Sequence, residues 1–247
     1  MLSQLYQNIV LKNPKSIFVL LLITLLSFGY FSRDFRLDAS SDTLLIEGDP
    51  DLEYLKEVTE RYGSKEFLIL TYSPNEGMVT ESSINNLLSL KYKIQSLDWV
   101  HSVITLLDIP LLNNSEAPLQ ERLESFKTLK DEGVDTERGF NEILNSPVFR
   151  NFVISEDGKT SGIIVYIKKD EIKDIENKTV QEIEDYKDTL KKKNHENITQ
   201  IREVIKGYGD IGKIYLGGIP MITDDMMSFI KSDIIVFGLG VLLFIIA

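Results

Sequence analysis

The chain of 247 residues contains no cysteine. That absence removes disulfides, cysteine-type zinc sites and thiol catalysis, and leaves the compartment open. Histidine occurs only at His101 and His195, far apart and without ligand-type spacing. No metal centre is legible from such a pair, and both read as surface or strand histidines. Charge is missing altogether from residues 234–247, and residues 1–31 hold two lysines and no acid. Residues 32–233 therefore carry all 38 acids and all but two of the 27 Lys and Arg. So acidic a region repels phosphate backbones, which argues against nucleic acid as a partner. About 200 residues suffice to bury a core without staples, in one or two domains.

The two apolar runs are the strongest positive signal. Residues 16–31, Ser-Ile-Phe-Val-Leu-Leu-Leu-Ile-Thr-Leu-Leu-Ser-Phe-Gly-Tyr-Phe, rise about 24 Å as a helix, slightly short of a ~30 Å hydrocarbon core. Lys15 and Arg33 can snorkel to cover the difference, and Tyr30 and Phe31 sit where an interfacial aromatic belt belongs. Lys12 and Lys15 favour a cytoplasmic N-terminus. The alternative is a cleaved signal peptide, but no small-x-small site follows the run and Phe31-Ser32-Arg33-Asp34-Phe35 is a poor cleavage context. The second run, 234–247, has no polar side chain and is about a third shorter than a typical ~20-residue membrane helix. It reads as a cut end, and the sequence as the front part of something longer. Two spans place the acidic region on the outer side of the membrane.

Between the runs the pattern is mixed. Asp49 as N-cap, Pro50 at the first helical position and acids Asp51 and Glu53 predict a helix that closes at Gly63. An apolar strand is predicted over 66–72, a helix over 80–97 and a strand over 99–107, a βαβ-like unit. Residues 110–147 are polar, with short helical patterns at 119–129 and 140–144, and read as an excursion from the core. Apolar runs 148–154 and 162–167 flank Asp157-Gly158, a hairpin signal. A helix over 176–206, which the polar stretch 191–197 divides or merely decorates, leads to a strand over 211–216. The two halves suggest paired α+β units of ferredoxin-like type.

The search for chemistry yields no active site. Asp49-x-Asp51-x-Glu53 opens like a calcium loop, but Pro50 and the missing Gly and Glu favour the helix start. Ser40-Ser41-Asp42 and Ser155-Glu156-Asp157-Gly158-Lys159 lack nucleophile-elbow glycines and a base at sensible range, so capped turns explain them. Gly207-Tyr208-Gly209-Asp210-Ile211-Gly212 has the letters of a dinucleotide fingerprint, but it follows a helix and precedes a strand, the reverse of the required order. Sequons at Asn113, Asn177 and Asn197 matter only in a eukaryotic secretory pathway. The acids Asp170, Glu171, Asp174 and Glu176 read as solvated faces and helix starts. Met221, Met226 and Met227 near Phe229 suit either an adaptable contact surface or packing at the membrane edge.

Taken in order, these pieces resemble the opening of one half of a resistance-nodulation-division (RND) exporter, on the MMPL-like lipid-exporter branch. The residues that carry the resemblance are the linker 35–45, the helix opened by Asp49-Pro50-Asp51 and closed by Arg61-Tyr62-Gly63, and the strand behind it. The turn at 154–160, and Leu216-Gly217-Gly218-Ile219-Pro220 with Asp224, Asp225 and Asp233 after it, complete the set. The resemblance implies a cytoplasmic tail (1–15), a first membrane helix (16–32) and an extracytoplasmic porter-like α+β domain (33–220, with the excursion 110–147). An amphipathic juxtamembrane segment (221–233) and a truncated second membrane helix (234–247) come after it. It further implies paired ferredoxin-like subdomains in a multi-pass protein of the cytoplasmic membrane, with 33–233 outside. The implied function is proton-driven export of hydrophobic or lipid-like substrates, without catalysis, cofactor or metal. Its partners are the bilayer, the remaining membrane helices, a second porter domain and the hydrophobic substrate, which the excursion or the cleft between the halves contacts. The proton relay of such transporters lies in a later membrane helix. A membrane-anchored ligand sensor shares the helix–domain–helix layout and is the alternative; an anchored enzyme is a third reading, disfavoured by the missing site.

Overall fold

The apolar run expected over 66–72 becomes the second-to-last position of a four-stranded antiparallel sheet, strand β1 (Phe67–Pro74). A computed structural model of the chain describes residues 13–31, 49–62, 66–112, 126–168 and 179–246. Helix α1 (Pro14–Phe31) belongs to a unit of its own, Met1–Ala39, and everything from Ser40 to a second. Proline at the first position of α1 costs no hydrogen bond, since that amide is an orphan anyway. The helix buries no side chain, and its mean hydropathy of 1.7 makes it long and apolar enough to cross a membrane.

In the second unit, helix α2 (Pro50–Tyr62) starts as its sequence predicts, with the Asp51 amide donating to Asp49 Oδ1 at 2.9 Å. β1 then alternates: Leu68, Leu70 and Tyr72 are fully buried, while Phe67 and Ile69 are exposed on the other face. Helix α3 (Glu81–Gln95) is next, capped by Thr80, whose hydroxyl accepts from the Ser83 amide. It buries Ser83, Leu87, Leu90 and Ile94, one stripe at three- and four-residue spacing. Strand β2 (Val100–Ile104) and a single 3-10 turn (Leu106–Asp108) succeed it, so the predicted strand over 99–107 stops short. Thr105 breaks it there by capping the turn, with Asp108 reaching back to the Thr105 amide. Helix α4 (Thr136–Leu144), strand β3 (Ser161–Ile167), helix α5 (Val180–Lys206), strand β4 (Gly212–Gly217) and helix α6 (Ile219–Ile246) complete the order.

The sheet runs β2-β3-β1-β4. β1 lies antiparallel to β3 and to β4, and β2 antiparallel to β3. Each crossover, β1-α3-β2 and β3-α5-β4, therefore skips over a strand of the other half, the split βαβ arrangement. The two halves expected as paired subdomains interleave in one sheet among the described residues. Leu68, Leu70, Tyr72, Ile163 and Val165 form its inner face against Leu87, Leu90, Ile94, Ile198 and Ile201. Each such side chain, fully buried, contributes about 1.5–3 kcal/mol.

Three further expectations change. Residues 148–154 form no strand: the Phe149 carbonyl accepts from the amides of Phe152, Val153 and Ile154, and Asn151 takes a left-handed conformation (φ 63°). β1 takes one edge of β3 along 161–166 and β2 the other along 164–167, so a hairpin partner has only 161–163 to pair with and meets β3 at the single bridge Ile154–Ser161. The turn itself is present, with Gly158 at φ 69°. Helix α5 is unbroken through 191–197. Finally, Ile219 and Pro220 are already helical, so 221–233 lies within one 28-residue helix rather than forming a separate bridge. The linker 35–45, Gly63, residues 113–125 (most of the 119–129 pattern) and the start of the predicted 176–206 helix lie outside the described residues.

Candidate functional site

Among the places where side chains distant in sequence meet, two are candidates for function. The first is the described part of the excursion. Asp135 caps α4 by accepting from the Arg138 amide at 3.1 Å, and Ile143 is buried. Between α4 and the segment after β2 lies a groove of about 540 Å³, with Pro110, Leu112, Ile143 and Phe149 as apolar lining and Arg138 and Asn145 as polar lining. The Leu112 amide donates to Glu142 Oε1 at 2.5 Å, which ties its two walls.

The groove is fastened to the core by Asp108. Its carboxylate accepts from Lys91 of α3, from Lys130 of the excursion at 3.2 Å, and from the amide and hydroxyl of Thr105 at 2.9 and 3.0 Å. Burial works to raise the Asp108 pKa. The bonds from Lys91, Thr105 and Lys130 outweigh it and hold the group below its ordinary value. Asp131 is lowered by the Thr128 amide and hydroxyl, which it accepts at 2.7 and 3.0 Å.

The second place is the junction of α5 with α6. Asn194 Nδ2 donates to the Pro220 carbonyl at 2.8 Å, and His195 Nδ1 lies 2.8 Å from Asp224 Oδ1. Arg202 Nη2 donates to both oxygens of Asp225 at 2.8 and 2.9 Å. Asp224 is buried, with 7% of its side chain exposed, whereas the His195 side chain is 60% exposed. The strand-to-helix step is made by Gly218 alone. At φ 119°, a Cβ there would meet the Phe67 carbonyl oxygen at 3.0 Å and Leu68 Cα at 3.2 Å. Beyond the junction α6 carries Ile234, Ile235, Val236, Phe237, Leu239, Val241, Leu242, Leu243 and Phe244 exposed, and it too is long and apolar enough to cross a membrane (mean hydropathy 1.9).

The remaining sequence candidates do not converge. His101 is exposed on β2, and among the described residues no group of three metal-type ligands occurs. Residues 155–160 form a capped turn: Ser155 Oγ donates to Asp157 Oδ1 at 2.6 Å, and the Thr160 amide donates to Ser155 Oγ at 3.0 Å. The Ser155 hydroxyl and then the Lys159 amide lower the Asp157 pKa. Residues 207–211 are the turn from α5 into β4, which Gly212 opens. Asn197 is buried in α5, while Asn113 and Asn177 lie outside the described residues. So do Ser40, Ser41, Asp42, Asp170, Glu171, Asp174 and Glu176. Met221 packs against the core and Phe229 is exposed. In the sequence, Asp224 and Asp225 stand out only through the resemblance. Their partners, 23 and 29 residues upstream, leave no periodic or motif signal. No protein-family model and no curated protein matches the chain.

Proposed function

We propose that residues 33–220 form the extracytoplasmic, substrate-facing domain of a proton-driven exporter of the RND/MMPL-like kind, handling hydrophobic or lipid-like molecules. The reading is supported above all by one observation. The α+β unit passes through a single residue, Gly218, into a continuous helix that runs on as a candidate membrane span, and a second candidate span precedes the unit. An anchor on a flexible tether needs no such continuity. In this proposal the groove between α4 and the segment after β2 offers substrate a lining of mixed apolar and polar side chains. The pairing of ferredoxin-like units arises between this unit and a second porter domain of a longer protein. Neither apolar run contains an acid or base, so proton coupling resides in membrane helices other than these two.

The test is photocrosslinking of a lipid-like probe to the intact transporter in its membrane. Label within 33–233, concentrated on peptides containing Ile143 and Phe149, is expected. No label anywhere in that region rejects the porter assignment. The residues beyond 247 distinguish a sensor: it has one span and then a charged heptad coiled coil, where an exporter continues with further apolar spans.

A further inference from the structure

We propose that α5 and the domain-side end of α6 form one rigid body, clasped so that movement of the membrane-side half of α6 is carried into the helical layer of the domain. Three contacts make the clasp: Asn194 to the Pro220 carbonyl, His195 to Asp224, and Arg202 to Asp225. They spread over about 12 Å of α5 and about 7.5 Å of α6, at 1.5 Å per residue. Contacts so spaced fix the angle between two helices as well as their distance, which a single contact does not.

The three contacts divide the work. Asp224 is a buried carboxylate, and a buried charge holds its position only with a partner. His195 is that partner, so rotating α6 away from α5 strips the carboxylate of its bond. Arg202 holds both oxygens of Asp225 through the single nitrogen Nη2, a charge-assisted contact that resists separation. Asn194 holds the first turn of α6 by the Pro220 carbonyl. Met221 adds apolar packing against the core. Gly218 sits against the backbone of Phe67 and Leu68, so the step into α6 is itself packed on β1.

α5 is tied in turn to the sheet, where Gln200 Oε1 accepts from Trp99 Nε1 at 3.0 Å. Displacement of α6 thus passes through α5 to the residue that precedes β2. The device is independent of the exporter assignment and would serve a sensor equally.

The chain has no native cysteine, so spin labels can be placed at Lys192→Cys on α5 and Ser232→Cys on α6 of the membrane-inserted protein. Both positions are exposed. Double electron–electron resonance is expected to give one narrow distance. Combining Arg202→Gln with Asp224→Asn is expected to abolish that single distance while the fluorescence of Trp99, the sole tryptophan, stays native. A broad distribution in the parent protein, or a distribution equally narrow in the variant, overturns the proposal. If the double variant loses the Trp99 signal, Arg202→Gln alone is read by the same criteria, because it touches only partly exposed groups. Substrate crosslinking is a separate readout, so either conclusion can fail without the other.

Discussion

Replacing Asp108 tests the fastening of the excursion to the core. The side chain is 19% exposed and its principal partner, Lys91, 14% exposed, so solvent screens the pair only in part. Asp108→Ala removes charge-assisted bonds to Lys91 and Lys130 and the cap on the Thr105 turn, and strands the Lys91 ammonium. The pair and cap together suggest a loss of about 3 kcal/mol, since such contributions do not add fully. For a folded unit of this size that corresponds to a fall of about 6–12 °C in Tm. Asp108→Asn keeps an oxygen for the Thr105 amide and should lose about half as much.

The pH dependence supplies the sharper measurement. The folded pKa of Asp108 lies below its unfolded value, so the native state binds fewer protons and stability rises with pH. Its contribution is fully present above the unfolded value of about 3.9 and disappears as pH falls through the folded pKa. Asp131 and Asp157 share the same sign, but they are common to both proteins and cancel in the difference. Thermal unfolding of the detergent-solubilised chain, followed by circular dichroism and Trp99 fluorescence, should show the gap between parent and Asp108→Asn shrinking as pH is lowered through the acid range. A gap that holds constant, or a variant as stable as the parent at neutral pH, refutes the argument.

Other substitutions probe separate parts of the fold. Gly218→Ala places a Cβ against the Phe67 carbonyl at a backbone angle alanine resists, and should cost about 1–3 kcal/mol in chemical denaturation; an unchanged midpoint would mean that the strand-to-helix step is loose. Among the described residues the buried Tyr72 hydroxyl has no hydrogen-bond partner, so Tyr72→Phe should be neutral or slightly stabilising. A measurable loss would place Ser83 or Asn86 within bonding reach of it.

Local chemistry is legible in the sequence where local chemistry decides. Asp49-Pro50 starts a helix and the apolar run 66–72 becomes a strand, whereas the Thr80 cap and the alternate burial of Leu68, Leu70 and Tyr72 appear only in the structure. The apolar run 148–154 has strand composition too, yet β1 and β2 leave it only 161–163 of β3 to pair with; edge occupancy is a property of the whole sheet. For the same reason the two βαβ-like halves look separable in sequence, although β1 sits between β3 and β4. Polar residues 191–197 suggest a break in α5, but Lys, Asn and Glu are tolerated on a helix, and Asn194 and His195 make contacts on α6. Those contacts, and the ties of Asp108 to Lys91 and Lys130, join residues with no sequence relation to one another. They become visible only once the chain has folded.

The membrane orientation of the α+β unit is the claim on which the functional reading depends most. Single cysteines at Lys15, Glu132 and Glu203, all exposed, can be introduced into this cysteine-free chain and treated in intact cells with a membrane-impermeant maleimide. The account predicts labelling at positions 132 and 203 in intact cells, and at position 15 only after permeabilisation. Labelling at position 15 in intact cells, with 132 and 203 protected until lysis, would contradict it.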